Sequence, residues 1–150
     1  MDVDYTAYLQ GSLVLDGDGC WWHEGVKFKN EKLALFFHQS IKFSPEENEF
    51  FVVIGRQRAR FTYKDTALFV FTYDDINNLF ILNNNSSVKV DDVNFSTAKN
   101  THALYITFPY SNYTITAKIS KSCYQSLVEY ITSDNTFCFH GISKTIISAV

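Results

Sequence analysis

Three arginines occupy alternate positions in the segment GRQRARF: Arg56, Arg58 and Arg60. Residues i, i+2 and i+4 of a β-strand project from one face, so this spacing predicts a row of guanidinium groups over about 13 Å. Like charges this close need carboxylates, solvent or a bound anion between them, and a guanidinium binds phosphate through two parallel hydrogen bonds. We predict that the three arginines share a strand face near the junction of the two halves of the chain. At least two of them are expected to bind an anionic ligand.

A solvent-facing strand with alternating charge is the second interpretation of the same residues. Glu46, Glu47 and Glu49 lie just upstream and would neutralise the arginines in that case. The segment WWHEG leaves a similar choice, because an exposed tryptophan beside a basic strand would stack on a base, whereas a buried one would pack in the core. We include Trp22 with the arginines in the predicted ligand site.

Motifs of the common catalytic centres are missing from the sequence. It has no Gly-x-Ser-x-Gly elbow, no glycine-rich phosphate loop and no His-Glu-x-x-His. Cys20 and His23 have a spacing that suits zinc, but Cys138 and His140 are too close together for the usual pattern. Three cysteines far apart also argue against a disulfide framework. We predict core thiols, no disulfide, no cofactor and no catalytic residue.

Two acidic pairs raise the separate question of a cation site. They are Asp74 with Asp75 and Asp91 with Asp92. Paired carboxylates suit a cation, but aspartate also stabilises turns by accepting hydrogen bonds from the backbone that follows it. Both interpretations stay open for these pairs, and our overall prediction is that no metal is bound.

Composition and charge define the class of protein. The chain has 150 residues, of which 46% are hydrophobic and 17% aromatic, which is ample for a folded core. The formal net charge of −3 argues against a general nucleic-acid-binding protein, which would be basic. No apolar run is long enough for a membrane span, and the segment MDVDYTAYLQ lacks the basic and apolar regions of a signal peptide. We predict a cytoplasmic protein with no membrane partner.

Two helices separated by strands are predicted along the chain. The first runs from about Glu31 to Ile41 with Asn30 as its cap, and the second from about Lys121 to Ile131. Ser122 and Gln125 fit a capping box for the second helix. Strands should dominate residues 50–118, and two short strands should flank the glycine in the tail FCFHGISKTIISAV. Most connections are too short for parallel crossovers, which predicts an α+β protein with antiparallel sheets.

The order of these features resembles an uncharacterised bacterial family, the domain-of-unknown-function family 1285. In the first half the resemblance is carried by Trp22, by Gly25 three residues later, by a Leu- and Phe-bearing helix and an acidic loop, and by Asp65 before ALFV. In the second half it is carried by LFILNNNSSVKVDD, YTITAKISKSCYQSLVEYI and GISKTIISA. The resemblance implies a duplicated α+β fold of two subdomains, residues 1–73 and 74–150. Each would hold one main helix, and the second would be loosely like a pleckstrin-homology domain.

The same resemblance implies a nucleotide-like ligand between the subdomains and a role in signal transduction. Together with the arginines, it leads us to expect a non-enzymatic binding protein for a phosphate-bearing ligand. A protein–protein interaction module without a small ligand is the alternative, and an uncharacterised hydrolase is the third hypothesis.

Overall fold

The chain divides after Ala67 into two units, Met1–Ala67 and Leu68–Val150, in a computed structural model that describes residues 5–98 and 103–148. The boundary predicted after residue 73 is therefore corrected. It would cut through the strand Leu68–Asp74, whose two neighbours in the sheet both belong to the second unit. The local sequence shows an apolar run at this point, and only the pairing of the strand decides the unit to which it belongs.

In its described residues, the first unit contains two helices and two small sheets. Its elements are α1 (Thr6–Gln10), β1 (Leu13–Leu15), β2 (Trp21–His23), β3 (Val26–Lys27), α2 (Glu31–Gln39), β4 (Ile41–Ser44), β5 (Glu49–Ile54), β6 (Gln57–Arg60) and β7 (Thr62–Tyr63). One sheet has the strand order β3-β2-β1-β7, and the other has the order β4-β5-β6. This order brings the predicted arginine segment to the outer strand of a three-stranded sheet.

Helix α2 begins where its sequence predicts. The side chain of Asn30 accepts hydrogen bonds from the backbone N–H groups of Lys32 at 2.9 Å and Leu33 at 3.2 Å, which caps the first turn. The helix ends at Gln39, slightly earlier than predicted, because Ile41 already pairs with Val52 in the sheet.

A buried histidine lies in the aromatic core of the first unit. His38 is 5% exposed, and its ring centroid lies 5.6 Å from that of Trp21, which is itself 1% exposed. The Nε2 atom of His38 donates to the carbonyl oxygen of Gly19 at 3.0 Å, which satisfies the ring N–H. Burial disfavours the charged ring and lowers the pKa of His38 to about 4. The histidine is therefore neutral at physiological pH.

The second unit is built on one large sheet. Its elements are β8 (Leu68–Asp74), β9 (Leu79–Leu82), β10 (Ser87–Lys89), a 3₁₀ helix (Val90–Asp92), β11 (Asn94–Thr97), β12 (Leu104–Tyr110), β13 (Tyr113–Ile119), α3 (Lys121–Leu127), a second 3₁₀ helix (Val128–Tyr130), β14 (Thr136–Phe139) and β15 (Ile142–Ser148). The strand order is β10-β9-β8-β13-β12-β11-β15-β14. The two short strands predicted around Gly141 are β14 and β15, which confirms that prediction.

The protein is α+β, as predicted, but its sheets are not purely antiparallel. The hairpins are antiparallel, whereas β1 with β7, β8 with β13 and β11 with β15 pair in parallel. Each parallel pair joins strands that are distant in the chain. The short connections between consecutive strands, on which the prediction was based, therefore did not indicate these pairs. Within the described ranges 5–98 and 103–148, no helix is both long enough and apolar enough to cross a membrane.

Helix α3 is fixed to the sheet of the second unit by its first turn and its inner face. The side chain of Ser120 accepts a hydrogen bond from the backbone of Cys123 at 3.3 Å, so the cap is Ser120 and not the predicted Ser122. Cys123 and Leu127 lie on the buried face of the helix. Burial raises the pKa of the Cys123 thiol to about 11. The second 3₁₀ helix then carries the chain to Tyr130, close to the predicted end at Ile131.

We expect the stability of the protein to depend on His38 between pH 6.5 and pH 4. The unfolded chain binds a proton on this residue below its ordinary pKa of 6.5, whereas the folded chain binds it only below about 4. Stability from the neutral ring is therefore fully present above pH 6.5 and is lost as the pH falls toward 4. The free energy of unfolding should drop by about 2 kcal/mol from this source between pH 7 and pH 5.

Urea unfolding of the wild type and of His38→Gln at both pH values measures this effect. Glutamine keeps a donor for the Gly19 carbonyl but does not titrate, so the variant should lose this part of the pH dependence. His140→Asn, at an exposed turn position, is the control and should keep it. An unchanged pH dependence in His38→Gln would contradict the assignment.

Candidate functional site

The predicted row of arginines is shorter in the structure than in the sequence pattern. Arg58 and Arg60 lie on β6 and project from one face, opposite Val53 and Phe51 of β5. Arg56 lies outside the strand, in the two-residue turn that joins β5 to β6. Gly55 has φ of +60° there, as the first position of a type II′ turn requires. The prediction that all three arginines share a strand is therefore wrong for Arg56.

Carboxylates of the same three-stranded sheet, on β5 and in the turn before it, bind both strand arginines. The Nη1 and Nη2 atoms of Arg58 donate to the two carboxylate oxygens of Glu47, at 2.5 and 3.2 Å. The Nε atom of Arg60 lies 3.2 Å from the Oε2 atom of Glu49. Arg58 lowers the pKa of Glu47 through this hydrogen bond, against the weaker opposing effect of desolvation. An external anion at this surface would have to displace these carboxylates.

The two guanidinium groups also lie over an aromatic ring. The Cζ atom of Arg58 is 4.0 Å from the ring centroid of Phe51, and that of Arg60 is 5.9 Å from it. Phe51 pairs with Lys42 of β4 and with Arg60 of β6, both of which are charged. It is nevertheless only 4% exposed. Cations over an aromatic face are attracted by the ring quadrupole. The geometry therefore gives Arg58 and Arg60 a structural role, and Glu47 and Glu49 are the partners that the second interpretation of the sequence names.

Trp22 takes part in a turn of the first unit. It projects from the side of β2 opposite the buried Trp21, and its Nε1 atom donates to the Oδ2 atom of Asp16 at 2.9 Å. The other oxygen of Asp16 accepts from the backbone of Asp18 and Cys20, both at 2.9 Å. Partial burial raises the pKa of Asp16, but these hydrogen bonds, led by that from Trp22, outweigh it and the net pKa is lowered. The indole of Trp22 is half-buried and bonded to the Asp16–Cys20 turn.

The residues considered as metal ligands have other partners or lie apart. The Nε2 atom of His23 is 3.1 Å from the carbonyl oxygen of Ala7, to which it donates. Asp74 accepts from the backbone of Ile76 at 3.0 Å and of Asn77 at 3.1 Å, so of its two open interpretations the turn is the one observed. In the part of the chain that the structure describes, no three or more His, Cys, Asp or Glu side chains cluster as a metal site would need.

A cavity of about 450 Å³ in the second unit is the better candidate for a ligand site. We call it the larger cavity. Its walls come from the start of β12 and the residue before it, from the last residues of β13 and from helix α3: Ala103, Leu104, Lys118, Ile119, Lys121, Tyr124 and Gln125. Pockets of this size hold small molecules.

The lining of the larger cavity combines apolar walls with positive charge. Leu104 is 2% exposed and Ile119 is 3% exposed, so both present fixed apolar surface. Lys118 and Lys121 stand on either side of the strand-to-helix junction that Ser120 caps. An apolar pocket with lysines in its lining suits an anion that carries an apolar or aromatic body.

A second cavity, of about 240 Å³, adjoins the first. We call it the smaller cavity. It is lined by Thr97, Leu104, Tyr124, Ile131, Asn135, Ile146 and Ser148, and thus shares Leu104 and Tyr124 with the larger cavity. Sequence reasoning missed both cavities, because their walls come from segments far apart in the chain. The only local signal was the pair of lysines in AKISKSC at the start of the second predicted helix.

Solved structures share the fold of this chain. One is a DUF1285 family protein from Silicibacter pomeroyi DSS-3, with a TM-score of 0.59 and 13% identity over 89% of this chain and 78% of that one. Another is a DUF1285 family protein from Shewanella baltica OS155, with a TM-score of 0.51 and 14% identity over 80% of this chain and 92% of that one. No protein-family model and no curated protein matches the sequence. The comparisons confirm the predicted resemblance at the level of the fold, and the chain has a DUF1285-like fold.

Proposed function

We propose that this protein is a non-enzymatic binding protein for a small, phosphate-bearing, nucleotide-like ligand, and that the larger cavity is its binding site. The observation that carries the proposal is the lining of that cavity. Lys118 on β13 and Lys121 at the start of helix α3 line it together with the buried residues Leu104 and Ile119. The site is placed within the second unit, and not at the arginines that the sequence singles out.

Each part of the lining has a counterpart in such a ligand. A lysine ammonium is a point charge with three donors, which suits the oxygens of a phosphate group in more than one orientation. Leu104, Ile119 and the ring of Tyr124 provide apolar and aromatic surface for a base or another flat ring. Gln125 adds an amide that both donates and accepts.

The arginine surface supports the proposal less well. Arg58 makes a two-pronged contact with Glu47, and Arg60 contacts Glu49. A phosphate arriving at this strand would compete with two carboxylates already in place and would be repelled by them. Cytoplasmic location and a role in signal transduction stay predictions from the sequence and from the family resemblance.

We expect adenosine 5′-monophosphate to raise the melting temperature of the protein in a concentration-dependent manner, because a ligand that binds only the folded state stabilises it. Lys118→Gln and Lys121→Gln should each weaken its binding about 10-fold, the effect of losing one hydrogen bond to a charged group. Calorimetric titration of the wild type and both variants measures the change. Increased ionic strength should weaken binding to the wild type further.

Lys89→Gln is the matched control for these variants. Lys89 is exposed on β10 and does not line the larger cavity, so its loss removes the same charge from the same unit. Binding should match that of the wild type. The proposal is wrong if the nucleotide leaves the melting temperature unchanged, or if both cavity variants bind it as tightly as Lys89→Gln does.

Arg58 should affect the stability of the protein and not its nucleotide binding. Arg58→Gln is expected to lower the free energy of unfolding, because it removes both the contact with Glu47 and the cover of Phe51. Nucleotide binding should not change. A double-mutant cycle with Glu47→Gln should show coupling in stability, and Arg56→Gln, in the turn, should be milder than Arg58→Gln. Loss of nucleotide binding in Arg58→Gln, with stability intact, would return the site to the arginine strand.

A further inference from the structure

The two cavities of the second unit lie side by side in the order of the strands beneath them. The larger cavity lies against the last residues of β13 and the first of β12, where it contacts Ile119 and Leu104. The smaller cavity continues over Thr97 of β11 and over Ile146 of β15. These four strands are consecutive neighbours in the sheet. Leu104 and Tyr124 line both cavities, so the two spaces adjoin, and we treat them as two compartments of one cleft.

The strand spacing gives the length of this cleft. Neighbouring strands lie about 4.8 Å apart, so three such steps from β13 to β15 span about 14 Å. A single phosphate or a lone ring would occupy only one compartment. A ligand that uses the whole cleft must be elongated.

The chemistry of the lining changes from one compartment to the other. The larger cavity contains Lys118 and Lys121. None of the described residues that line the smaller cavity carries a charge, and its polar groups are the hydroxyls of Thr97 and Ser148 with the amide of Asn135. Hydroxyl and amide groups recognise uncharged donors and acceptors, which a charged group would match poorly. The two ends of the cleft therefore select different chemical groups.

From this arrangement we infer that the ligand has two distinct ends. A phosphate lies at the lysines, an apolar or aromatic middle passes between Leu104 and Tyr124, and an uncharged hydrogen-bonding group, such as an amide, amine or hydroxyl, enters the smaller cavity. This inference rests on the proposed function, and adds to it the specificity for the far end of the ligand. Discrimination follows because a ligand with that end forms hydrogen bonds to the polar groups of the smaller cavity, and a ligand without it does not.

Two phosphate monoesters test the inference. Adenosine 5′-monophosphate carries a phosphate, a flat ring and an uncharged amino group at the far edge, whereas phenyl phosphate has the phosphate and ring but no polar far end. Calorimetric titration of the wild type should show adenosine 5′-monophosphate binding at least about 10-fold more tightly, as expected when a hydrogen-bonding group is matched.

The double substitution Thr97→Val with Ser148→Ala removes both hydroxyls and keeps the strand propensity of Thr97. We expect it to abolish most of the preference for adenosine 5′-monophosphate while leaving the affinity for phenyl phosphate unchanged. Thr116→Val is the control, since Thr116 is an exposed residue on β13 and lines neither cavity. It should keep the wild-type preference. The unfolding transition of each variant, followed by circular dichroism, verifies that it is folded.

The outcomes separate the two proposals. If both esters bind the wild type equally, or if the double variant keeps the preference, the two-ended ligand is wrong while the phosphate site at the lysines stands. If neither ester binds, the proposed function fails and the inference fails with it. If the double variant binds both esters more weakly by the same factor, the inference is also wrong. The smaller cavity would then support the site without contacting the far end of the ligand.

Discussion

The parallel pairing of β15 with β11 is the constraint on which the second unit depends. Phe95 lies opposite Ile146 in this pair, and β12 and β11 stand between β15 and the strand β13 that the chain has just left. To reach its place, the chain must travel across the face of the sheet. Helix α3 and the 3₁₀ helix Val128–Tyr130 lie in the segment that connects β13 to β14 and β15. Tyr124 of helix α3 lines both cavities together with residues of the strands, so the cleft is formed jointly by this segment and the sheet.

Positive charge is used in two different ways in the protein. In the first unit, Arg58 and Arg60 are fixed by carboxylates and by Phe51, so the planar shape and several donors of the guanidinium serve the hairpin itself. In the second unit, Lys118 and Lys121 line a cavity whose walls are otherwise mostly apolar. Positive charge thus stabilises a hairpin in one unit and lines a cavity in the other.

The sequence predictions are accurate where a feature depends on residues close together in the chain, and they fail where it depends on distant residues. Helix α2 depends on Asn30 and on residues within one turn of it, so its start was predictable, as was the tail hairpin around Gly141. The alternation of arginines correctly placed Arg58 and Arg60 on one face, but it could not show that a glycine turn removes Arg56 from the strand. The parallel pairs and the cavity walls join residues as distant as Thr97 and Ser148. No local pattern encodes such contacts, so they required the whole topology.

The burial of Cys123 makes the movement of helix α3 measurable by simple chemistry. The thiolate is the species that alkylating reagents attack, and this thiol is 4% exposed, with its pKa raised to about 11. Alkylation at neutral pH therefore requires the helix to leave the sheet. Cys138, exposed on the edge strand β14, reacts without any such opening. Among the three thiols, Cys123 is thus a slow one and Cys138 a fast one, and the ratio of the labelling rates of these two reports how often helix α3 opens.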